Sequence, residues 1–263
     1  MRIADFHNDI ITETNCAVIP DEYFNYHKVV TALFRGGKSF KQIYDLASKS
    51  NSPYLAFEDV GYDDLNFNKL CELKPIYVGL TWNGENRFGF GCNYKYGLKN
   101  EGLNLIKKLN ASKITVDTAH ISKGGFLDII ENADNVINSH TCFSRIYEHK
   151  RNIEDWQIKL LTEKKALIGI TFYGSFMTNV KTCKITDLIK NIDYFCQRYP
   201  IELLCFGTDF YGCNFLPDGI TEDYDSFYLL SNELLKRGYT EADIKKIFYG
   251  NLSAYLEKYV FTH

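Results

Sequence analysis

The chain lacks the marks of several large classes of protein. Its 263 residues carry a formal net charge of −3 at pH 7, so no broad basic field is present to hold a nucleic acid. No apolar run is long enough to span a bilayer. The first residues enter a strand pattern at once, without the apolar stretch of a signal peptide. We therefore expect a cytoplasmic protein with neither a nucleic-acid nor a membrane partner.

Cysteine is present, but not in a metal-binding arrangement. None of the eight cysteines forms a C-x-x-C pair, which argues against a zinc ribbon. An even number of cysteines could form disulfides in a secreted protein, but no secretory signal is expected here. We predict that most of the cysteines are reduced and buried, where they act as small apolar fillers.

Short apolar runs alternate with longer amphipathic stretches along the chain. Eight runs have the character of buried strands: Arg2–Asp9, Lys28–Phe34, Tyr54–Val60, Pro75–Trp82, Lys113–His120, Asn135–His140, Ala166–Tyr173 and Ile201–Asp209. Strands that alternate with helices indicate βαβ units and a parallel sheet. Eight such units favour a closed barrel. We predict an α/β fold, a (β/α)8 TIM barrel, as a single domain over residues 1–263.

Local signals support the helices between these strands. Thr240 and Asp243 form a capping-box pattern, and Gly238 is placed to end the preceding helix. Asn152 is positioned to cap the helix that contains Trp156. Two connections, 83–96 and 211–224, are long and follow strands. We expect them to lie over the catalytic face and to shape a pocket there.

Polar side chains stand at the downstream ends of the predicted strands. They are His7, Asp9, Glu58, His120, His140 and Asp209. A barrel brings such strand ends together at one face, where its active site forms. Histidine together with carboxylate suits a divalent transition metal. A single histidine of this kind is more often a satisfied core residue, but the joint pattern favours a metal-dependent hydrolase.

Strand alternation should aim these side chains into the barrel. His7 and Asp9 are two residues apart and would face the same side as Ile3 and Asp5, with Asp5 as a buried partner of the site. The same alternation would place the following residues inward: Ala56 with Glu58, then Ile114, Val116 and Thr118 with His120, Val136 and Asn138 with His140, and Leu203, Cys205 and Gly207 with Asp209. Small or branched side chains of this kind fill barrel interiors.

The number of ligands favours two metal ions. A catalytic zinc ion typically takes three protein ligands and keeps one open position. Three histidines and three carboxylates exceed that number, and they suffice for two ions if one carboxylate bridges.

At this point the residues resemble a known family. The motifs are Asp5-Phe6-His7-Asn8-Asp9, Val116-Asp117-Thr118-Ala119-His120, Asn138-Ser139-His140, Ser144-Arg145 followed by His149-Lys150-Arg151-Asn152, Gly207-Thr208-Asp209-Phe210-Tyr211-Gly212, and Gly250-Asn251-Leu252. They are similar, in order, to D-G-H-N-D, V-D-x-S-H, S-H, S-R-A-x-x-x-H-x-R-N, G-S-D-F-D-G and G-N-F. These are motifs of the membrane (renal) dipeptidases and their bacterial relatives, within the amidohydrolase superfamily.

The resemblance implies a role for each ligand. His7 and Asp9 would hold one zinc ion, His120 and His140 would hold the other, and Glu58 would bridge them. Asp209 would contact the first metal and handle the proton.

The resemblance also implies substrate contacts. Arg151 would bind the terminal carboxylate of the substrate, for which its planar fork is suited. In Leu80-Thr81-Trp82-Asn83, Trp82 stands where the animal members have a histidine thought to help stabilise the tetrahedral intermediate. An indole N–H can donate a hydrogen bond but cannot carry a proton charge. We place Trp82 and Asn83 with Arg151 among the substrate-binding residues.

The resulting hypothesis is a binuclear metal-dependent dipeptidase that cleaves small dipeptides with a free C-terminal carboxylate. A metal-bridging hydroxide would attack the carbonyl, with Asp209 as the proton shuttle. Zinc is the expected metal, although manganese and cobalt can share such ligands.

Alternatives remain open at this point. The site could act on another small amide, a lactam or a lactone, because Trp82 changes the pocket wall. The chain could also be a catalytically weakened, metal-containing binding protein. The family often forms homodimers, but nothing in the sequence locates an interface.

Overall fold

Eight parallel strands close into a barrel in sequence order. The structure is a computed structural model that describes residues 1–262, with side chains other than those at positions 22, 25 and 259–262. The strands are β1 (Ala4–Asn8), β2 (Lys28–Phe34), β3 (Leu55–Glu58), β4 (Tyr77–Gly79), β5 (Thr115–Asp117), β6 (Val136–Thr141), β7 (Ile168–Ile170) and β8 (Leu204–Phe206). The (β/α)8 TIM barrel prediction is confirmed. The predicted domain ends at His263, which lies outside the described residues.

All eight predicted strands are present, and most are shorter than predicted. Lys28–Phe34 has its predicted bounds. Ile201–Leu203, predicted to begin the last strand, is a 3₁₀ turn. The predicted strands were too long because buried apolar residues outside the strands, such as Ile76 and Leu80 on either side of β4, continue the apolar pattern.

Helices follow the strands around the outside of the barrel. They are α1 (Ile10–Thr14), α2 (Asp21–Tyr26), α3 (Phe40–Ala47), α4 (Phe67–Glu72), α5 (Asn100–Ala111), α6 (Lys123–Asn132), α7 (Asp155–Glu163), α8 (Ile185–Cys196), α9 (Phe227–Lys236), α10 (Glu241–Lys245) and α11 (Asn251–Thr262), with a π-helical turn at Lys246–Gly250 between the last two. The capping box of Thr240 and Asp243 is confirmed. Gly238 follows α9 with a φ of 95°, as expected of a helix terminator.

The prediction that Asn152 caps α7 is wrong. The helix begins after Glu154, whose backbone N–H donates to Oε1 of Gln157 at 3.0 Å. The side chain of Asn152 instead donates to the carbonyls of Tyr147 and Phe176. It therefore ties two loops together.

The barrel interior is apolar toward its amino end. The inward-facing residues there are Ala4, Phe6, Val30, Ala56, Tyr77, Ile137, Leu167 and Cys205. Leu252 and Leu256 of α11 pack against them and close this end. The hydroxyls of Thr115 and Tyr255 pair at 2.9 Å. We call this end, formed by Phe6, Thr115, Leu252, Tyr255 and Leu256, the floor.

In three strands, the residues predicted to face the barrel interior are displaced by one position from those that face it. Ile3, Val116 and Val136 were expected inside the barrel, but they pack in the outer core between the strands and the helices. Their neighbours Ala4 and Ile137 face the interior instead. In β3 and β8, Ala56 and Cys205 face inward as predicted.

The cysteine prediction is half correct for burial, and the reduced state stays a prediction. All eight cysteines are free. Four are buried, three are partly buried and Cys16 is exposed. Within residues 1–262, no helix combines the length and apolar character needed to cross a membrane.

Candidate metal centre

The six predicted polar side chains converge at the carboxyl end of the barrel. Three sets have ligand atoms within 4.8 Å of one another: His7 with Asp9 and Glu58, Glu58 with His120 and His140, and His7 with His140 and Asp209. Five of the six side chains are buried, and that of Asp209 is 13% exposed. Glu58 belongs to two of the sets, so it lies between two positions at which an ion could be held.

The distances around Glu58 are consistent with a bridge. Its Oε1 lies 2.8 Å from Nε2 of His120 and 3.7 Å from Nε2 of His140. Its Oε2 lies 3.8 Å from Nε2 of His7. One oxygen therefore faces each side. His7 Nε2 lies 3.3 Å from Asp9 Oδ2 and 3.9 Å from Asp209 Oδ1.

The chain brings these residues inward by three different local devices. Glu58 ends β3 in phase with Ala56, as predicted. The registers of β1 and β6 shift between Asp5 and Asn8 and between Asn138 and Thr141. Such irregularities re-aim side chains next to active sites, and here they lie at His7 and His140.

His120 and Asp209 reach the centre from turns. Both lie three residues beyond the ends of β5 and β8, with left-handed φ values of 64° and 65°. Left-handed backbone is uncommon for residues other than glycine and is often found at functional sites. The expectation that strand alternation alone would position these two residues is therefore wrong.

Two of the histidines are held through Nδ1 by acceptors. The Tyr77 hydroxyl donates to the Phe6 carbonyl at 3.0 Å, so it accepts from Nδ1 of His7 at 2.8 Å. Oδ1 of Asn83 accepts from Nδ1 of His120 at 2.8 Å. In the neutral form, a histidine that donates through Nδ1 has its lone pair on Nε2. Both Nε2 atoms therefore offer lone pairs to the centre.

His140 is held in the same way by a serine and an aspartate. The Ser139 hydroxyl donates to Asp117 Oδ2, so it accepts from Nδ1 of His140 at 2.8 Å. Asp117 is fully buried and also accepts from the backbone N–H groups of Ala119 and Ser139. Partners of this kind fix the tautomer and orientation of metal-binding histidines.

The donor atoms fit divalent ions. Nε2 of His120 and Nε2 of His140 lie 2.9 Å apart, and with both protons on Nδ1 their lone pairs face each other. His7 Nε2, Asp9 Oδ1 and Glu58 Oε1 are buried without hydrogen-bond partners. Buried polar atoms without partners destabilise a fold. Divalent ions held among these atoms would supply the missing partners.

Burial and neighbouring charges shift the pKa values of these groups in opposite directions. Burial opposes protonation of His7, but the Asp9 carboxylate raises its pKa to about 10. Burial, reinforced by the charges of Asp9 and Glu58, raises the pKa of Asp209 to about 8. Burial alone would raise the pKa of Glu58, but His120 and His7 lower it to about 2. Such divergent shifts in one cluster are typical of functional sites.

Arg151 lies beside the cluster with spare donors. It is buried, and its Nη2 donates to the His140 carbonyl at 3.1 Å. Its Nε has no partner. The guanidinium lies 5.3 Å from the ring centroid of Phe176. A buried planar cation with unused N–H groups is suited to bind a carboxylate.

Trp82 and Asn83 have different surroundings. The ring centroid of Trp82 lies 5.8 Å from that of His120, and the residue is 43% exposed. Asn83 is occupied, because its Oδ1 accepts from both His120 and the Cys92 thiol. These contacts favour a role for Asn83 in orienting His120 rather than the substrate contact that was predicted.

The sequence reasoning missed the residues that orient the histidines. No role was assigned to Tyr77, Asp117 or Ser139. Asp117 and Ser139 lie inside two of the quoted motifs, which was an available signal. Tyr77 could be found only once the inward face of β4 was known.

Comparison with known proteins extends these observations. A family model described as membrane dipeptidase (peptidase family M19) matches residues 61–258. Dipeptidase verJ of Clonostachys rogersoniana is 27% identical over 183 residues, which cover 68% of this chain and 47% of its own length. The chain therefore aligns with about half of that relative.

Solved structures share the whole fold. Dipeptidase AC, a metallopeptidase of family M19, superposes with a TM-score of 0.84 at 18% identity, over 98% of both chains. A metallopeptidase from Rhodobacter sphaeroides, liganded with a phosphinate mimic of the dipeptide L-Ala-D-Ala, gives 0.81 at 18% identity, over 98% of this chain and 99% of that one. The structural similarities support the barrel fold, and the family model shows to which family the chain belongs. The chain belongs to the membrane dipeptidase family, peptidase family M19, and its enzyme class is metallo-dipeptidase.

Proposed function

We propose that this chain cleaves small dipeptides with a free C-terminal carboxylate and uses two divalent metal ions to do so. The observation that carries the proposal is that two ligand sets share Glu58 directly beside the buried Arg151. His7 and Asp9 would hold one ion, and His120 and His140 the other, with Asp209 at the edge of the first. Zinc is the expected metal, because neutral imidazole and carboxylate are its usual ligands.

The ions and the protein would divide the chemistry. When bound, the two ions lower the pKa of water and polarise the scissile carbonyl. Asp209 Oδ1 lies 3.9 Å from His7 Nε2, so this carboxylate would border the first of the two ions. We propose that this carboxylate takes the proton from the water and returns it to the leaving amine.

Arg151 would fix the far end of the substrate. Its side chain is anchored to the His140 carbonyl, so a carboxylate bound to its free N–H groups lies at a set distance from the ligand cluster. Holding the substrate in this way makes the attack effectively unimolecular. Asn83, Tyr77 and Ser139 would keep the three imidazoles in the tautomer that binds metal.

The experiment combines metal analysis with a substrate panel. We expect two ions per chain, and hydrolysis of dipeptides such as L-Ala-D-Ala and its L,L form. Amidation of the C-terminal carboxylate should raise KM strongly. Arg151→Met should raise KM for the free dipeptides about 100-fold, since charge-assisted pairs contribute several kcal/mol when buried, and should barely affect the amidated ones. Arg145→Met, an exposed arginine of the same segment, is the matched control.

The same panel discriminates the alternatives. Two bound ions with no turnover of any amide would favour a metal-containing binding protein. Turnover of lactams or lactones alone would favour a different hydrolase.

We further propose that the chain acts as a single domain in the cytoplasm, where its eight free cysteines would stay reduced.

A further inference from the structure

An aromatic residue lies across the barrel mouth from Arg151. In a closed barrel of eight strands, β2 and β6 are four strands apart, so their carboxyl ends face each other across the centre. Phe34 is the last residue of β2, and Arg151 lies in the connection that follows β6. A molecule anchored at Arg151 that crosses the ligand cluster therefore extends toward Phe34.

Phe34 is aimed into the mouth at the level of the proposed bridging carboxylate. It is paired in register with Glu58 of the neighbouring strand. It is four residues from Val30, which faces the barrel interior, so strand alternation places it on the same face. Its side chain is only partly buried.

Trp82 extends the apolar surface that begins at Phe34. Their ring centroids lie 5.3 Å apart, and the indole also lies against His120. Trp82 is 43% exposed. We call Phe34 and Trp82 the aromatic shelf. An exposed apolar surface that adjoins a cluster of polar catalytic groups is the usual form of a small-molecule site.

The charges near the shelf come from Arg35 and Lys38. Arg35 follows Phe34 in the chain, but its Nε lies 3.8 Å from Asp59 Oδ2 and its Nη1 donates to the Gly61 carbonyl. Lys38 Nζ and the Phe34 ring both lie within 3.9 Å of the position that a Cβ on Gly36 would take. A cationic side chain would therefore be repelled there, and the two rings offer their surface to an apolar partner.

We propose that the aromatic shelf binds the side chain of the amino-terminal residue of the substrate and gives the enzyme a preference for large apolar side chains at that position. This inference rests on the proposed function, since it needs the substrate carboxylate at Arg151. Phe34 and Trp82 are thus specificity-determining residues, and neither takes part in proton transfer.

The test compares dipeptides that share a C-terminal alanine. We expect kcat/KM for Phe-Ala and Leu-Ala to exceed that for Gly-Ala at least tenfold, as an apolar pocket can discriminate to this degree. Phe34→Ala and Trp82→Ala should each reduce that ratio about tenfold. Trp82→Phe, which keeps a ring but removes the indole N–H, should retain most of it. Tyr96→Ala removes an exposed aromatic ring of the same loop that packs on Phe90, and it should leave the ratio unchanged.

A binding measurement makes the test independent of turnover. In a Trp156→Phe background, Trp82 is the remaining tryptophan of the two in the chain. Its fluorescence should change on titration with a phosphinate mimic of Phe-Ala, and much less with a mimic of Gly-Ala. Metal content should match that of the parent in each variant, and Phe34→Leu replaces Phe34→Ala if the latter fails to fold.

The outcomes separate the two proposals. An unchanged preference ratio in both alanine variants, with metal bound, would overturn the shelf while leaving the dipeptidase proposal intact. Equal fluorescence responses to the two mimics would also overturn it. Failure of the parent enzyme to cleave any dipeptide would instead overturn the proposed function.

Discussion

The two ends of the barrel treat their buried polar groups in opposite ways. At the floor, the hydroxyls of Thr115 and Tyr255 pair with each other among apolar side chains. At the mouth, Nε2 of His7, Oδ1 of Asp9, Oε1 of Glu58 and Nε of Arg151 are buried without partners. Unpaired buried polar atoms oppose folding, so the floor must stabilise a fold that the mouth weakens. The residues that stabilise the barrel and those that would carry the chemistry therefore lie at opposite ends of its interior.

The first way to test this separation is to remove the proposed proton acceptor, Asp209, from the mouth. Asp209→Asn keeps the shape and an oxygen that can contact metal, but an amide cannot accept the proton. We expect kcat to fall by roughly 10²–10⁴, the range typical of general acid–base groups, with metal content nearly intact. Steady-state kinetics measure kcat, and elemental analysis measures the metal content.

The control for Asp209→Asn is Asp134→Asn, an exposed carboxylate near the amino end of β6. Asp134→Asn should leave kcat and the metal content unchanged. Near parental turnover in Asp209→Asn would remove this residue from the mechanism.

The converse change weakens the floor. Leu256 is fully buried beneath the barrel, and Leu256→Ala should cost about 2–5 kcal/mol of unfolding free energy, as buried large-to-small substitutions do. Turnover per folded molecule and metal content should not change, because Leu256 packs among the apolar residues of the floor, away from the proposed ligands. Denaturant unfolding followed by kinetics on the folded fraction checks this.

Leu235→Ala on α9, where the side chain is 43% exposed, should cost far less than Leu256→Ala. If Leu256→Ala lowers metal content or turnover of the folded protein, the two ends are coupled and the comparison fails.

The sequence predicted the barrel better than it predicted how side chains enter it. All eight strands were found because each is a short apolar run between helices. The predicted alternation placed Ala56 and Glu58 on the correct, inward face, because β3 is regular and pairs in register with β2. It was wrong for β1, β5 and β6, where the first buried residues belong to the outer core. Both faces of a parallel barrel strand are apolar, so composition alone does not identify the inner one.

The proposed metal ligands could be found by sequence although three strands were assigned the wrong inward face. His7 and His140 lie at register shifts, and His120 and Asp209 lie in left-handed turns. None of these features has a marker in residue type, since the residue in the left-handed conformation is not a glycine at either turn. The motifs identified the residues because chemistry fixes their types, whereas the irregular backbone that aims them depends on tertiary packing.

A third prediction addresses the boundary between the two ends. The ring of Tyr77 packs edge-on against Phe6 of the floor, while its hydroxyl holds Nδ1 of His7 at the mouth. Tyr77→Phe keeps the ring and removes both hydrogen bonds of the hydroxyl, the one from His7 Nδ1 and the one to the Phe6 carbonyl. We expect the weaker-bound ion to lose about 10- to 100-fold in affinity, as is typical when such a partner is removed. The unfolding free energy should change by only about 1 kcal/mol.

The matched control for Tyr77→Phe is Tyr255→Phe, which removes a buried hydroxyl paired with Thr115 at the floor. It should have a similar effect on stability and none on metal affinity. Calorimetric titration with zinc measures the affinities. Equal metal affinity in Tyr77→Phe and the parent would show that the His7 tautomer does not depend on this hydroxyl.

The last prediction concerns the pH dependence of metal uptake, which should be confined to the mouth. The pKa of His7 is raised to about 10 and that of Asp209 to about 8, so both groups carry protons at pH 7 when no ion is bound. An ion must displace these protons to reach the lone pairs, so its apparent affinity should rise with pH from 6 to 8, by about tenfold per pH unit for each proton released. At the floor, burial raises the pKa of Tyr255, so this hydroxyl stays protonated throughout that range.

Zinc competition titrations at pH 6, 7 and 8, in buffers of different ionisation enthalpy, measure the affinity and the protons released. A pH-independent affinity would mean that the ligands bind metal without giving up protons, which is incompatible with the charge arrangement at the mouth.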